Sequence, residues 1–258
     1  MLRPTILALV LSMARSEQAP VVVAGATGRV GSGVMRALAA RGTPAHALAR
    51  DGAKAREMGH KRVLEADYGD AAALDAAFAQ VGAPFRLFLG CANSPRQAEY
   101  ETNVLSAAVA HGCEYVVKLS TATAVLSSRA GSYAAHVEIE TALEKSGVAH
   151  AILRPSLYMQ MLDDGPLGLA DALADSDSCE HLLADAPIAA VDARDVSDAG
   201  AALLATWKTD GPRARIIEIT GPAAVRLGVD AADAISELRR RRVTVRGCSA
   251  VEHCESRG

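Results

Sequence analysis

Three glycines, at positions 25, 28 and 31, follow a short aliphatic run and precede an alanine-rich stretch with helical spacing. The first would let the chain turn sharply out of a strand, the second would let backbone N–H groups approach a phosphate, and the third would let helix and strand pack closely. A helix N-terminus also favours negative charge. The spacing therefore predicts a diphosphate site, with a purely structural glycine turn as the alternative. The predicted site consists of Gly25, Thr27, Gly28, Arg29, Val30 and Gly31.

The second feature is basic and lies about 20 residues further on, where the next aliphatic run ends in Arg50. In dinucleotide-binding proteins a carboxylate at this place binds the ribose hydroxyls, whereas an arginine suits a 2′-phosphate. Arg50 offers a planar fork of donors, and Lys54 follows one helical turn later. Asp51 is the competing carboxylate, but its position suits the N-cap of a helix. The pattern favours NADP(H) as cofactor, with NAD(H) as the alternative.

The third feature is a pair of polar residues, His136 and Glu140. They are separated by one helical turn and so share one face of a helix. An imidazole there could orient a cofactor or donate a proton, and the carboxylate beside it would favour its charged form. The alternative is a half-exposed helix pair that contributes little.

Aliphatic runs alternate with longer amphipathic stretches from residue 20 onward, which predicts alternating strands and helices. The runs lack polar alternation, as expected of strands covered on both faces, so the sheet is predicted to be parallel, doubly wound and of the α/β Rossmann class. Residues 189–191 and 216–220 predict two later strands around a helix over 195–206. Residues 233–242 predict a helix and 242–246 a last strand. The six earlier strands are predicted at 21–24, 45–49, 63–66, 85–89, 115–119 and 149–153, with helices at 33–41 and 71–80.

Six segments, in order over residues 20–222, resemble the NmrA-like group of atypical short-chain dehydrogenases/reductases. The resemblance implies an NADP-binding Rossmann domain with a small C-terminal substrate lobe, in a family of quinone or dye reductases and redox-sensing regulators. The segments are GATGRVG (25–31), LARD (48–51), EADYGD (65–70), VVKLS (116–120), ILRPS (152–156) and VDARDV (191–196).

The resemblance also implies roles for residues outside the glycine segment. It places Asp67, with Tyr68 beside it, at the adenine, Ala92 and Asn93 beside the cofactor, and Pro155 near the nicotinamide. It further implies Tyr158 near the nicotinamide, His136 near the nicotinamide ribose, and Ser120 in the place of a catalytic serine. Tyr158 and Met159 are the predicted substrate contacts; the adaptable side chain of Met159 suits a broad apolar substrate, with a filler of the pocket or core as the alternative. The usual tyrosine–lysine proton relay is missing, because Val137 stands four residues after Tyr133.

Composition excludes several other classes of protein. Half of the 258 residues are hydrophobic and 22% are charged, which excludes a disordered chain and a multi-span membrane protein. With 27 basic against 30 acidic residues and 3% aromatics, neither nucleic acid nor a membrane surface is expected as partner. Five cysteines without a CxxC pair indicate a reducing, cytoplasmic location and no thiolate metal site, and the scattered histidines suggest none either.

The two ends of the chain differ from its middle. Residues 1–18 contain an apolar run after Arg3 and are predicted to be a disordered extension or to precede a true start at Met13, with a secretory signal as the alternative. Residues 19–222 form the predicted cofactor domain, with an acidic loop or lid at 156–187. Residues 223–258 are predicted to form a shortened, truncated C-terminal lobe, from which weak turnover is expected.

Together these features predict an NADPH-dependent reductase that transfers hydride to a quinone-like or other conjugated small molecule. The alternative is a non-catalytic NADP(H) sensor that presents its surface to a protein partner.

Overall fold

The computed structural model describes residues 19–122, 131–161, 168–169, 173–174, 176–181, 183–208 and 214–248, with backbone alone at 131–133 and 214. The chain divides into two units. The first unit holds the residues up to Arg154 and Arg194–Glu218, and the second holds Pro155–Ala193 and the residues from Ile219 onward. The predicted extension at 1–18 and the last ten residues, 249–258, lie outside the described residues.

The described part of the chain contains nine strands: β1 (Val21–Ala24), β2 (Ala45–Ala49), β3 (Val63–Glu65), β4 (Phe85–Leu89), β5 (Cys113–Leu119), β6 (Ala149–Pro155), β7 (Ser178–His181), β8 (Ala214–Ile219) and β9 (Thr244–Gly247). Seven of them form one sheet in the order β3-β2-β1-β4-β5-β6-β8. The pairings from β3 through β6 are parallel. The strand order reverses between β1 and β4, and the crevice at the carboxyl ends of these strands is the usual ligand site of such sheets. The predicted doubly wound α/β fold is confirmed.

Helices connect the strands: α1 (Arg29–Ala40), α2 (Gly52–Glu57), α3 (Ala71–Ala79), α4 (Gln97–Ala110), α5 (Gly131–Lys145), α6 (Ala193–Thr206) and α7 (Ala232–Arg239). Aspartates begin two of them. The Asp51 side chain accepts a hydrogen bond from the Lys54 backbone N–H, and Asp70 accepts from the N–H groups of Ala72 and Ala73. The predicted role of Asp51 as a helix N-cap is confirmed.

Burial explains why the central strands could be predicted from their residues. Strands β1 and β4 are buried along their whole length, as expected when helices cover both faces of a parallel sheet. Arg86 is the charged exception in β4 and is 2% exposed. Its guanidinium donates hydrogen bonds to the backbone carbonyls of Ala19 and Leu204, so it ties the start of β1 and the end of α6 to the sheet.

Two predictions of secondary structure are wrong, the start of the first helix and the strand at 189–191. Helix α1 begins at Arg29, before the predicted start at residue 33, because the glycines that weaken helix propensity are held by close packing. Residues 189–191 form no strand. The backbone of Ala189 accepts hydrogen bonds from Ser156 Oγ and Gly221 N, and Val191 makes one isolated bridge with Tyr158, so no ladder develops.

The second unit contains a small sheet in which β7 pairs in parallel with β9. Strand β7 lies inside the acidic segment 156–187, which the sequence analysis treats as a loop or lid. The last strand, predicted at 242–246, runs over Thr244–Gly247. Arg239 Nη1 donates to the carbonyls of Leu173 and Ser176. The apolar interior of this unit consists of Leu169, Leu173, Ala184, Leu227, Ala232, Val243 and Val245.

Candidate cofactor and active site

The loop between β1 and α1 leaves no room for side chains at two of its glycines. Gly25 has a φ of +71°, and a Cβ there would lie 2.6 Å from the Gly90 carbonyl oxygen. A Cβ on Gly31 would lie 2.2 Å from the Gly25 carbonyl oxygen. Strand, loop and helix therefore meet backbone to backbone, which is the role that the sequence analysis assigns to these positions.

The N-terminus of α1 is arranged to receive an anion. Gly28 is its N-cap, with extended backbone and no side-chain cap hydrogen bond, and the first turn lacks an acidic residue. The positive end of the helix dipole and the first-turn N–H groups suit a diphosphate. Around this turn Thr27 is half-buried, Arg29 exposed and Val30 buried. The residues present therefore fit a dinucleotide diphosphate.

Tyr68 supports this loop from inside the protein. The side chain is 5% exposed, and its hydroxyl accepts from Gly25 N at 2.9 Å and donates to the Leu48 carbonyl at 2.8 Å. Burial raises the pKa of Tyr68 above its usual value. Asn103 Nδ2 holds the Tyr68 carbonyl at 3.0 Å. Tyr68 is expected from the sequence to bind the cofactor, but its hydroxyl contacts protein backbone, so it acts through the glycine loop.

We expect Tyr68→Phe to lower the free energy of unfolding by about 1–3 kcal/mol, because the Gly25 N–H and the Leu48 carbonyl each lose a buried partner. Cofactor affinity is expected to fall with it, since Gly25 begins the glycine loop. Chemical denaturation and a fluorescence titration with NADPH measure both effects.

The matched control is Tyr100→Phe, which removes the hydroxyl of a half-buried tyrosine in α4. If the two variants were equally stable, the Tyr68 hydroxyl would not hold the loop.

Arg50 and Lys54 stand at the carboxyl end of β2 and in the helix that follows it. Both side chains are exposed. Within the described residues neither one forms an ion pair with a carboxylate, and Asp51 between them is engaged as the N-cap of α2. The two cations are therefore available to an anionic ligand at the same edge of the sheet as the glycine loop.

Three more predicted cofactor residues follow the carboxyl ends of β3 and β4. Asp67 is exposed, and its Oδ1 accepts from Gly69 N at 2.7 Å. Ala92 and Asn93 are exposed just after β4. Because the strands are parallel, these residues and the glycine loop share one edge of the sheet.

Pro155, Tyr158 and Met159 belong to the second unit, and their predicted contacts with cofactor or substrate stay predictions. Pro155 ends β6 and is buried. Tyr158 bridges to Val191, and Met159 is 43% exposed at the start of a short 3₁₀ turn.

Ser120, Glu140 and Arg154 form a hydrogen-bonded group at the carboxyl end of β5. Ser120 Oγ donates to Glu140 Oε1 at 2.5 Å. Arg154 binds both carboxylate oxygens, with Nη2 2.5 Å from Oε2 and Nε 3.2 Å from Oε1. Glu140 is 7% exposed, and its carboxylate raises the pKa of Arg154. Glu140 is therefore paired with a serine and an arginine.

His136 has a different neighbour from the one its helical spacing predicts. Lys118 Nζ lies 3.3 Å from His136 Nδ1, and Gln97 Nε2 lies 3.3 Å from Nε2. Burial, followed by the Lys118 charge, lowers the pKa of His136 to about 3. The expectation that Glu140 favours a charged His136 is therefore wrong. The alternative of a half-exposed pair is wrong as well, because each residue is 7% exposed.

Sequence analysis missed Lys118, Glu101 and Gln97, which surround His136. Lys118 Nζ and Glu101 Oε2 are 2.8 Å apart, with side-chain exposures of 0% and 1%. Gln97 Nε2 donates to Glu101 Oε1 at 3.1 Å. A signal was present, since a lysine inside an otherwise aliphatic strand needs a buried partner. The partner could not be read from local spacing, because it lies on another element.

The described residues contain no group of three side chains that could hold a metal ion. Among them there is also no helix long and apolar enough to cross a membrane.

The sequence profile of the NAD(P)H-binding family matches residues 25–204, more than half of the chain. The chain belongs to this family. The matched segment begins at Gly25, the first glycine of the loop between β1 and α1.

Similar proteins of the NAD(P)H-binding type include an NAD(P)H azoreductase of Xenophilus azovorans, 29% identical over 142 residues. That match covers 55% of this chain and 49% of the azoreductase, so this chain aligns with about half of that relative's length.

Solved structures extend the likeness. The NADPH-dependent quinone oxidoreductase of Escherichia coli, complexed with NADPH, is 26% identical with a TM-score of 0.74 and covers 89% of this chain and 78% of its own. The Citrobacter sp. triphenylmethane reductase, complexed with NADP(H), is 21% identical with a TM-score of 0.76 and covers 90% and 80%, which is a likeness of fold.

Proposed function

We propose that the protein is an NADPH-dependent reductase of the NmrA-like type that transfers hydride to a quinone-like or other conjugated small molecule. One observation carries the choice of acceptor: the polar side chains at the end of β5 are engaged with one another. His136 is uncharged between Lys118 and Gln97, and Glu140 is bound by Ser120 and Arg154. A reaction that draws no proton from these groups suits this site best.

The acceptor class follows from that arrangement. Reduction of a simple ketone needs a proton donor at the oxygen as hydride arrives at carbon. A quinone or a conjugated dye delocalises the added charge and collects its proton from water, so the protein need only position it. The named activities of the similar azoreductase and quinone oxidoreductase support the same acceptor class.

The chain's own residues bind and orient the cofactor, and bound NADPH supplies the hydride. The N–H groups at the start of α1 hold the diphosphate, and the Gly31 position keeps α1 close enough for them to reach it. Arg50 and Lys54 bind the 2′-phosphate. Arg50 contributes a planar guanidinium just after β2, and Lys54 contributes a flexible ammonium from the helix that follows. Ser120, whose hydroxyl is held by Glu140, lies beside the nicotinamide ring.

We expect Arg50→Ala to weaken NADPH binding by about tenfold or more and to leave NADH binding unchanged. A hydrogen bond to a charged group contributes about 1.5–3 kcal/mol, and each 1.4 kcal/mol is a factor of ten in affinity. Fluorescence titrations of the wild type and the variant with both cofactors measure the change in preference.

Arg62→Ala is the control, because Arg62 is also exposed but precedes β3 at the opposite edge of the sheet. A wild type that binds NADPH and NADH equally well would contradict the assignment of NADPH.

An acceptor comparison tests the proposed reaction. NADPH oxidation is followed with naphthoquinones, azo dyes and triphenylmethane dyes, and separately with simple aldehydes and ketones. We expect turnover with members of the conjugated set and none with the simple carbonyls. Turnover with ketones alone would require a proton donor that the described site does not offer, and would overturn the proposal.

A non-catalytic NADP(H) sensor with a protein partner is the second candidate, and the same engagement of Ser120, His136 and Glu140 favours it. It differs from the reductase in binding NADPH without oxidising it. For either function we infer a cytoplasmic location, supported by the absence of a CxxC pair among the five cysteines and by Cys91 and Cys113, which form no disulfide in the described part of the chain.

A further inference from the structure

The Lys118 ammonium is buried beneath the end of β5 and contacts groups from three elements. It forms an ion pair with Glu101 Oε2 at 2.8 Å, lies 3.3 Å from His136 Nδ1, and donates a hydrogen bond to the carbonyl of Leu119. Those groups come from α4, from α5 and from β5 itself. A buried lysine with these three contacts joins three elements through its charge.

Glu101 completes the ion pair from α4. Its carboxylate pairs with Lys118 through Oε2, and its Oε1 accepts hydrogen bonds from Gln97 Nε2 at 3.1 Å and from the Cys91 thiol at 3.6 Å. Burial and the Glu101 charge raise the pKa of Cys91 to about 12, so the thiol is a neutral donor. The cluster therefore carries one positive and one negative charge, and His136 carries neither.

His136 is the link from this pair to helix α5. Because Nδ1 faces an ammonium, which can only donate, Nδ1 is the acceptor in this contact and the ring is uncharged. The groups that face the ring are Lys118 from β5 and Gln97 from α4, while Glu140 on its own helix is bound to Ser120 and Arg154.

Ser120 is next to the peptide that Lys118 contacts and is also bonded to helix α5, which Lys118 contacts through His136. Its backbone N–H donates to Leu153 in β6, and the carbonyl just before it is the one that Lys118 holds. Its hydroxyl binds Glu140, one turn after His136 on α5. Both the backbone and the side chain of Ser120 are thus tied to elements that Lys118 contacts.

We propose that the buried Lys118–Glu101 pair positions Ser120 for hydride transfer, by holding the last peptide of β5 directly and by holding α5 through an uncharged His136. Lys118 and Glu101 are positioning residues and touch neither cofactor nor acceptor. This inference rests on the proposed function, in which Ser120 stands beside the reacting ring.

A stabilising role alone predicts something different. Replacing both members of a buried ion pair by apolar residues of similar volume is often neutral or stabilising, whereas removing one member leaves a buried charge unpaired. The double variant Lys118→Met/Glu101→Leu is therefore expected to keep the fold and to lose the polar contacts that join β5, α4 and α5. A loss of kcat in a variant of wild-type stability would be due to positioning.

The experiment is a cycle that combines this double variant with Ser120→Ala. We expect the double variant to bind NADPH like the wild type and to reduce a naphthoquinone with kcat lower by about tenfold or more, as a small misplacement produces. Ser120→Ala is expected to lose a similar factor. All three changes together should cost no more than Ser120→Ala alone, because residues that act through one another are not additive.

NMR of the His136 imidazole gives a readout that needs no turnover. In the wild type the ring should not titrate between about pH 5 and 8. In Lys118→Met it faces an unpaired Glu101 carboxylate and should gain a proton in that range. His136→Gln assigns the signal, and Asp75→Asn/His111→Gln, which removes an exposed ion pair, is the control for kcat.

Each outcome decides between positioning and its alternatives. Additive losses in the cycle, a double variant with wild-type kcat, or a wild-type His136 that titrates near neutral pH would each overturn the inference. A wild type that fails to oxidise NADPH with any of the acceptors contradicts the proposed function first, and with it the positioning of Ser120 for catalysis. The titration still reports which residue of the cluster carries the positive charge.

Discussion

Gly31→Ala is expected to weaken NADPH binding by about 100-fold. The new methyl group would lie 2.2 Å from the carbonyl oxygen and 2.7 Å from the carbonyl carbon of Gly25, so the backbone of the glycine loop must move. Overpacking of this kind costs about 1–3 kcal/mol, and 1.4 kcal/mol corresponds to a tenfold change in affinity. The displaced N–H groups are those that receive the diphosphate. A fluorescence titration measures the loss.

Ser32→Ala is the matched control, because Ser32 is the next residue of α1 and its hydroxyl donates within the helix, to the Arg29 carbonyl. Circular dichroism shows whether each variant is folded. A folded Gly31→Ala protein that binds NADPH as tightly as Ser32→Ala would contradict the placement of the diphosphate at this loop.

Acid is expected to destabilise the protein through His136. Its pKa is about 3 in the folded protein against an ordinary value of 6.5, so below about pH 6.5 the unfolded chain binds a proton that the folded protein does not. The free energy of unfolding should therefore fall by up to about 1.4 kcal/mol per pH unit between pH 6.5 and 3. Above pH 6.5 this residue contributes no slope.

Urea denaturation from about pH 4.5 to 7.5 measures this dependence. His46, whose pKa is also lowered by burial and by Arg62, adds a slope of the same sign. The comparison with His136→Gln isolates the part due to His136, and Thr141→Ala on the same helix should keep the wild-type slope. If His136→Gln had the same acid dependence as the wild type, His136 would not be held uncharged.

The strands most accurately predicted are those whose local sequence already contains the reason for their burial. Strands β1, β2 and β4 have the predicted bounds, since each is a short apolar run covered by helices on both faces. The glycine loop was likewise predictable, because its spacing encodes close approaches that the structure then shows at Gly25 and Gly31.

Long-range partners could not be predicted in the same way. Strand β7 has the sequence Ser-Cys-Glu-His, without apolar alternation, and it is defined by pairing with β9, which lies more than 60 residues later. His136 shows the same difficulty in the site. Helical spacing pointed to Glu140, whereas its charged neighbour is Lys118 on β5. The sequence placed Tyr68 among the cofactor residues, whereas the partner of its hydroxyl, the Gly25 N–H, depends on how two loops meet.

The most direct test of the proposed reductase is the amount of quinol formed per NADPH consumed, with wild-type protein in catalytic quantity and a naphthoquinone as acceptor. Cofactor binding is measured on the same preparation. Hydride transfer predicts one quinol for each NADPH, at a rate that saturates with both compounds. Tight NADPH binding with no oxidation above the protein-free rate would contradict the reductase and leave the cofactor-binding sensor as the function of this fold.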